Sequence, residues 1–416
     1  MNNLRTSCGS APGRLDFLGG VADYSGSLVL EMPIQGRTTV EIQELDEPII
    51  RIEFEDHEFD AELDLGGFND SHNAALEDVS SFLRREGVPE PVFYVAGCLA
   101  AFLEHIDGEA DFGLHFKVSS TVPQSIGVSS SAALEVATMR ALEALWDIQL
   151  TGTLLARLAQ RAENVVVGAP CGLMDQLSSA YGIPGALLPI LCRPDILGEP
   201  VPLPAGIMAV GWPSGVKHSV AGAGYGTARA AAFMGKQIFE KLTGRAWGFA
   251  SEITPGYYLR PAQEMMPRTM PGADFLREFS AVNDPLSKID PDVDYPVFDA
   301  LRFPIEENER CAVARTLLAA GAGENIPRYL EHVGQLMYAS HAGYGSIGLG
   351  TPETDAMVEA VEALGAEAGF YGARVGGGGC GGTVVVLLEE CAIPRLHELS
   401  QALVFAENGR AFPLIR

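Results

Sequence analysis

A two-domain protein of mixed strands and helices is what this sequence predicts, and three observations predict it. Its 416 residues exceed the size at which a single hydrophobic core stops growing. Apolar residues make up 47% and charged residues 20%, a globular balance that argues against long disorder. Strand-like and helix-like patterns mix before residue 190, and helix-like patterns dominate after 305.

Taken in order, residues 26–43 (GSLVLEMPIQGRTTVEIQ) read as strands broken by Pro33 and Gly36, since proline lacks a ladder donor. Residues 48–54 (PIIRIEF) alternate with period two. The acidic stretch 53–65 (EFEDHEFDAELDL) reads as a solvated edge. Helices follow over 93–105 and 132–146, the second with Leu134, Ala137, Ala141, Leu142 and Leu145 on one face. Prolines around 183–206 mark a loose boundary, giving one domain over 1–200 and another over 201–416. Segment 252–295, rich in Pro, Asp and Met, reads as long surface connections. Helices over 313–321, 325–341 and 353–366 then lead to a glycine-rich turn and the strand 383–388.

Charge and cysteine usage narrow the function. Lys plus Arg number 28 against 54 Asp plus Glu, a net charge of −26. Such a surface repels phosphate backbones, so nucleic acid is not an expected partner, although a small anion needs only a local positive site. The seven cysteines form no C-x-x-C pair, and an odd number of them points to free thiols in a reducing compartment. The start, MNNLRTSCGS, shows no apolar signal region, and no apolar run nears the roughly 20 residues that cross a bilayer. A cytoplasmic protein without a membrane partner is the expectation.

Much of the high glycine content, 47 residues, falls in three clusters suited to phosphate or a polar ligand. In 118–137 (VSSTVPQSIGVSSSAALEVA) a small-residue loop runs into an amphipathic helix. Unsatisfied N–H groups at a helix start carry partial positive charge, and small side chains let phosphate approach them. The loop residues Ser125, Ile126, Gly127, Val128, Ser129, Ser130 and Ser131 are therefore the candidate phosphate cradle, with a serine hydroxyl as a possible Mg²⁺ ligand. Simple helix capping needs one serine rather than three. The P-loop signature is absent, because Gly235-Lys236 is followed by Gln237.

The second cluster, 374–382 (RVGGGGCGG), contains Gly377, Gly378 and Gly379 and precedes a strand. A dinucleotide fingerprint would precede a helix, so this one reads as a tight turn or a close approach to phosphate. In the third, 11–26 (APGRLDFLGGVADYSG), Arg14 and Asp16 lie near Asp23 and Tyr24, which suits a polar ligand and equally an ordinary ion pair. A further segment, 162–176 (AENVVVGAPCGLMDQ), sets Glu163 and Asp175 in apolar surroundings, where one acid could hold metal and the other face a hydroxyl.

These four segments, in this order, resemble the GHMP kinase superfamily and its galactokinase branch. Within the branch, GGVADYSGSLVLEMPI, VGAPCGLMDQ, GVKHSVAGAGY and SIGLGTPETD are similar to the kinase domain of plant-type L-arabinokinases. The resemblance covers residues 8–388. It implies an α+β fold of two domains, with the active site in the cleft between them. It implies ATP and Mg²⁺ as cofactors and a monosaccharide and ATP as small-molecule substrates. Asp175 matches the catalytic Asp beside the sugar's anomeric hydroxyl, and Arg14 the Arg that pairs with it. Ser131 and Glu163 match the Mg²⁺ ligands, residues 125–131 the ATP loop, and Asp23 and Tyr225 sugar contacts.

Two departures stand out. Gln124-Ser125-Ile126 replaces a richer glycine loop, and Gly20-Val21 replaces the Glu-His pair that reaches toward C6 of galactose. L-Arabinose is the same ring without C6, and an acid left without its hydroxyl costs roughly 1–3 kcal/mol. Gly20 is accordingly expected to open space, with Val21 packing on the bare C5 edge. The implied reaction is phosphorylation of L-arabinose at C1. Galactose, galacturonic acid and a non-catalytic sugar sensor are the alternatives.

Overall fold

A computed structural model describes residues 4–55, 60–216, 223–320, 326–405 and 411–416. Residues 56–59 of the acidic stretch, 217–222 of the GVKHSVAGAGY segment and residue 325 of an expected helix lie outside them. By its contacts the chain forms two units, each discontinuous in sequence. The first is Met1–Arg14, Ile34–Gln124 and Ser129–Tyr181, and the second is Leu15–Pro33, Ser125–Val128 and Gly182–Arg416. Residues 182–200, assigned to the first domain from sequence, fall in the second unit.

The first unit is a sheet covered by helices. Strands β1 (Thr6–Leu18) and β2 (Leu28–Leu45) each supply part of their length to it. They join β3 (Ile49–Phe54) and β4 (Asp60–Asp64), helices α1 (Leu65–Ala74), α2 (Leu76–Glu86) and α3 (Glu90–His105), and strand β5 (Gly113–Ser120). Helices α4 (Ser130–Trp146), α5 (Leu154–Arg161) and α6 (Met174–Tyr181) complete the unit. β2 runs antiparallel to β5, β5 parallel to β3, and β3 antiparallel to β4. β4 alternates exposed Asp60, Glu62 and Asp64 with buried Ala61 and Leu63, as an acidic edge strand should. Val40, Ile42, Ile52 and Phe116 of the sheet share one core with Leu99, Phe102, Val136 and Leu142 of α3 and α4.

The break expected at Pro33 and Gly36 does not occur, and β2 is a single strand of 18 residues. Its rungs to β5 begin at Thr38 and those to β6 end at Glu31, and β1 pairs with it as well. Pro33 and Gly36 fall between the β5 and β6 ladders, where a missing donor or side chain interrupts neither of those two.

In the second unit β2 pairs with β6 (Ala186–Leu191), which also pairs with the short β7 (Ile196–Leu197) and β8 (Val201–Pro202). Strand β9 (Ile207–Pro213) belongs to a second sheet, described below, and helix α7 (Ala223–Thr243) follows it. The segment read as long connections instead holds α8 (Pro255–Met265), α9 (Gly272–Phe279) and a two-residue ladder of β10 (Met270–Pro271) with β11 (Asp294–Tyr295). Fully buried Phe275 and the Arg229–Asp284 ion pair anchor it. Helix α10 (Val297–Ala319) starts well before residue 313 and continues through Pro304, because Phe298, Leu301, Phe303 and Ile305 are all buried. Helices α11 (Ile326–Ser346) and α12 (Pro352–Leu364) precede β12 (Phe370–Val375) and β13 (Thr383–Glu389), and α13 (Ile393–Ala402) follows. β13 lies between β12 and β9, antiparallel to both. Among the described residues no helix is long and apolar enough to cross a membrane.

Candidate active site

The first unit gathers seven polar side chains around the start of α6. Asp175 stands in the first turn of that helix, where exposed amides favour a carboxylate. Arg14, on β1, donates to it from Nε at 2.8 Å and lies within 2.7 Å through Nη2, both on Oδ1. The Arg14 side chain is 4% exposed and that of Asp175 23%. The Asp175 carboxylate thus keeps part of its surface open to solvent while Arg14 holds it through Oδ1.

Glu163 sits where α5 widens into the π-helical turn Ala162–Val167, an irregularity common at functional sites. The Ser131 hydroxyl hydrogen-bonds its carboxylate. Gln176 Nε2 donates to Glu163 Oε2 at 2.7 Å and to Glu135 Oε2 at 2.9 Å, and the Cys171 thiol donates to Glu163 Oε2 at 3.0 Å. Burial raises the pKa of Glu163, and burial plus the neighbouring Glu163 charge pushes Glu135 well above the ordinary carboxylate range. Burial likewise pushes the Cys171 thiol up. Ser131 and Glu163 are adjacent hard oxygen donors, which fits a Mg²⁺ ion that completes its shell with water and nucleotide phosphate. Among the described residues no cluster of three or more His, Cys, Asp or Glu forms an all-protein metal cage.

The Ser-rich loop has an unusual backbone. Ser125, Gly127 and Ser129 have φ of 59°, 78° and 55°, so every second residue is left-handed. That alternation turns successive N–H groups toward one side, as in anion-binding nests. Ser129 occupies the N-cap position of α4 without a side-chain capping bond, and its buried Oγ has no hydrogen-bond partner. Plain capping thus does not account for these serines, and an orphaned hydroxyl beside left-handed backbone fits a phosphate. In the second unit, Thr383 Oγ1 donates to Ile126 O at 2.7 Å, tying this loop to the start of β13.

Asp23, Tyr24 and Tyr225 come together in the second unit. Tyr24 meets Tyr225 edge-on with ring centroids 6.2 Å apart, and Asp23 Oδ1 accepts from Tyr24 N at 2.6 Å. The Arg229 guanidinium, gripped by Asp284 through bonds of 2.8 and 3.0 Å, lies 5.3 Å from the Tyr24 ring centroid. Gly377 and Gly379 turn the chain between β12 and β13 at φ of 61° and 71°, which bears out the tight-turn reading. Gly378 lies beside them, half-buried.

The opening expected at Gly20 is absent. Gly20 and Val21 are buried, and Val21 packs in the same apolar cluster as Tyr225. Gly20 has φ of 51°, and a Cβ there would lie 1.8 Å from Tyr344 Oη and 2.8 Å from Asp16 Oδ2. The missing side chain has been replaced from within by a phenol.

Sequence reasoning passed over Glu135, Gln176, Arg374, Tyr344 and Glu307. A lone acid inside AALEVATM, on a helix buried along most of its length, was the available signal for Glu135. Tyr344 and Arg374 gave none, since their partners lie in distant segments.

Residues 94–183 match the GHMP kinases N terminal domain, and residues 328–400 match the GHMP kinases C terminal domain. The chain is 31% identical to an L-arabinokinase of Arabidopsis thaliana over 91% of its own length, and spans 42% of that longer protein. It is 31% identical to a galactokinase of Chloroflexus aggregans, covering 92% of this chain and 84% of the relative. In fold it is similar to the Lactococcus lactis galactokinase solved with galactose, with a TM-score of 0.76, 19% identity, and coverage of 99% and 92%. A mevalonate kinase of Methanococcus jannaschii follows with a TM-score of 0.59 at 18% identity, covering 99% and 98%. The chain belongs to the GHMP kinases and, within them, to the ATP-dependent sugar kinases of the galactokinase and arabinokinase type.

Proposed function

We propose that this chain transfers the γ-phosphoryl group of ATP to the C1 hydroxyl of L-arabinose, giving L-arabinose 1-phosphate and ADP. The bond from O1 to phosphorus forms as the bond from phosphorus to the β,γ-bridging oxygen breaks, and the O1 proton passes to Asp175. Arg14 fixes Asp175 through Oδ1, which leaves Oδ2 to orient the sugar hydroxyl and take its proton. Phosphoryl transfer depends mainly on positioning and charge stabilisation, and this chain supplies both. The amides and hydroxyls of residues 125–131 bind phosphate oxygens. Ser131 and Glu163 would hold Mg²⁺, which when bound would neutralise phosphate charge. Asp23 and Tyr225 hold the hydroxyls that L-arabinose shares with galactose. The seven free thiols support a reducing, cytoplasmic setting.

One observation carries the choice of sugar. At position 20 there is no acid to reach a C6 hydroxyl, and the place of its side chain is filled by Tyr344 Oη. D-Galactose is the second reading, favoured by two Chloroflexus galactokinases at 31% and 32% identity. The test is kcat/KM for L-arabinose and D-galactose with ADP release as the readout. L-Arabinose is expected to lead, and a preference of about tenfold or more for galactose would overturn the assignment.

A further inference from the structure

The turn that opens the sugar segment is held by three buried side chains, one for each of three successive amides. Gly19 N donates to Glu307 Oε1 at 3.1 Å, Gly20 N to Asp16 Oδ1 at 3.0 Å, and Val21 N to Tyr344 Oη at 3.0 Å. The same Tyr344 hydroxyl donates to Gly377 O at 2.6 Å in the glycine turn. Its ring stands edge-on to Phe303 at 5.3 Å, and no part of the side chain reaches solvent. Tyr344 Oη thus has two backbone partners, and it occupies the place a residue-20 Cβ would take.

We infer that Tyr344 is the specificity-determining counterpart of Gly20, a positioning residue that closes the sugar site against any substituent on C5. This rests on the L-arabinose reading. It differs from a purely polar account, in which Gly20 only removes an acid that a pentose could not satisfy. On that account the cost of a C5 substituent depends on its polarity. Here it depends on its size, because a rigid buried hydroxyl fills the volume and holds Val21 in place.

The experiment has two arms. In the native protein, kcat/KM is measured for L-arabinose, D-galactose and 6-deoxy-D-galactose, the last carrying a methyl group on C5. Both hexoses are expected about tenfold or more below L-arabinose, with the difference in KM. Equal use of L-arabinose and the 6-deoxy sugar, with galactose alone rejected, overturns the inference while leaving the L-arabinose reading intact. A native preference for galactose, or no phosphorylation of either sugar, overturns both.

The second arm is Tyr344→Phe, which keeps the ring and removes only the hydroxyl. The ratio of kcat/KM values is expected to shift toward D-galactose by about tenfold, through sugar KM, with the KM for ATP within about twofold of native. A merely structural defect would lower both sugars alike, and an unchanged ratio in a folded variant overturns the inference. Should the variant fail to fold, the native sugar series decides.

Discussion

Arg14 lies in the first unit, and Asp16, two residues further along β1, lies in the second. Each forms an ion pair with a residue far away in sequence, Asp175 for one and Arg374 for the other. The Arg14–Asp175 pair leaves its carboxylate 23% exposed, with the Arg14 Nε and Nη2 contacts on a single oxygen. The Asp16–Arg374 pair is wholly sealed, and every acid oxygen is engaged. Oδ1 takes Gly20 N at 3.0 Å, while Oδ2 takes Gly377 N at 2.7 Å and Arg374 Nη1 at 3.0 Å. Arg374 also donates to Asp16 O at 3.0 Å, yet its Nε and Nη2 have no partner and its guanidinium rests 5.1 Å from the Tyr344 ring centroid. An ion pair whose acid keeps some exposed surface is equipped for proton transfer. One with none left is equipped to fix backbone, here the sugar turn and the glycine turn together.

Breaking the exposed pair should show in turnover. Asp175→Asn keeps the shape and an acceptor for Arg14 but cannot take a proton at Oδ2. We expect kcat to fall by roughly 10²–10⁴-fold with unfolding temperature and ATP affinity close to native. Steady-state ADP release and calorimetric titration with nucleotide check this, and near-native turnover in the folded variant would remove Asp175 from the role. Breaking the sealed pair should show in stability instead. Asp16→Ala strands the Arg374 charge in a site without solvent, a loss of about 3–5 kcal/mol in urea unfolding. A loss under about 1 kcal/mol would mean that solvent reaches Arg374 after all.

The contrast also shows what a sequence makes legible. The Ser-rich loop announced itself, because the alternation of left-handed residues needs small side chains and Gly127 at φ of 78° is written directly as a glycine. The acids Glu163 and Asp175 stood out against their apolar neighbours, although their roles came from resemblance. The partners did not stand out. Arg14 and Asp175 are 161 residues apart and Arg374 and Asp16 are 358 apart, and no local pattern encodes such contacts. Gly20 misled for the same reason: an absent side chain reads as space, while what fills that space is set by α11, more than 300 residues on. Pro33 misled because a strand's tolerance for proline depends on which rungs its neighbours use.

The smallest effect concerns Glu135, where the first unit holds a carboxyl as deeply buried as Asp16 but without a cation. Glu135 is fully buried, accepts from Gln176 Nε2 at 2.9 Å, and shares a hydrogen bond with Glu163. Burial is the main cause of its raised pKa, and the Glu163 charge adds to it. A carboxyl that is harder to ionise in the folded state binds more protons there than in the unfolded chain. Its contribution to stability is therefore best at low pH and declines as pH climbs from the ordinary value of 4.5 through the raised folded value. Glu135→Gln copies the protonated acid, with an oxygen to accept from Gln176 and an NH₂ group to donate to Glu163, and it cannot ionise. Relative to native, the variant should gain stability as pH rises above 4.5, with the gain larger at pH 8 than at pH 5, read from urea unfolding at each pH. A gain that is the same at both pH values, or that runs the other way, would show that Glu135 ionises freely and that Gln176 alone satisfies both carboxylates.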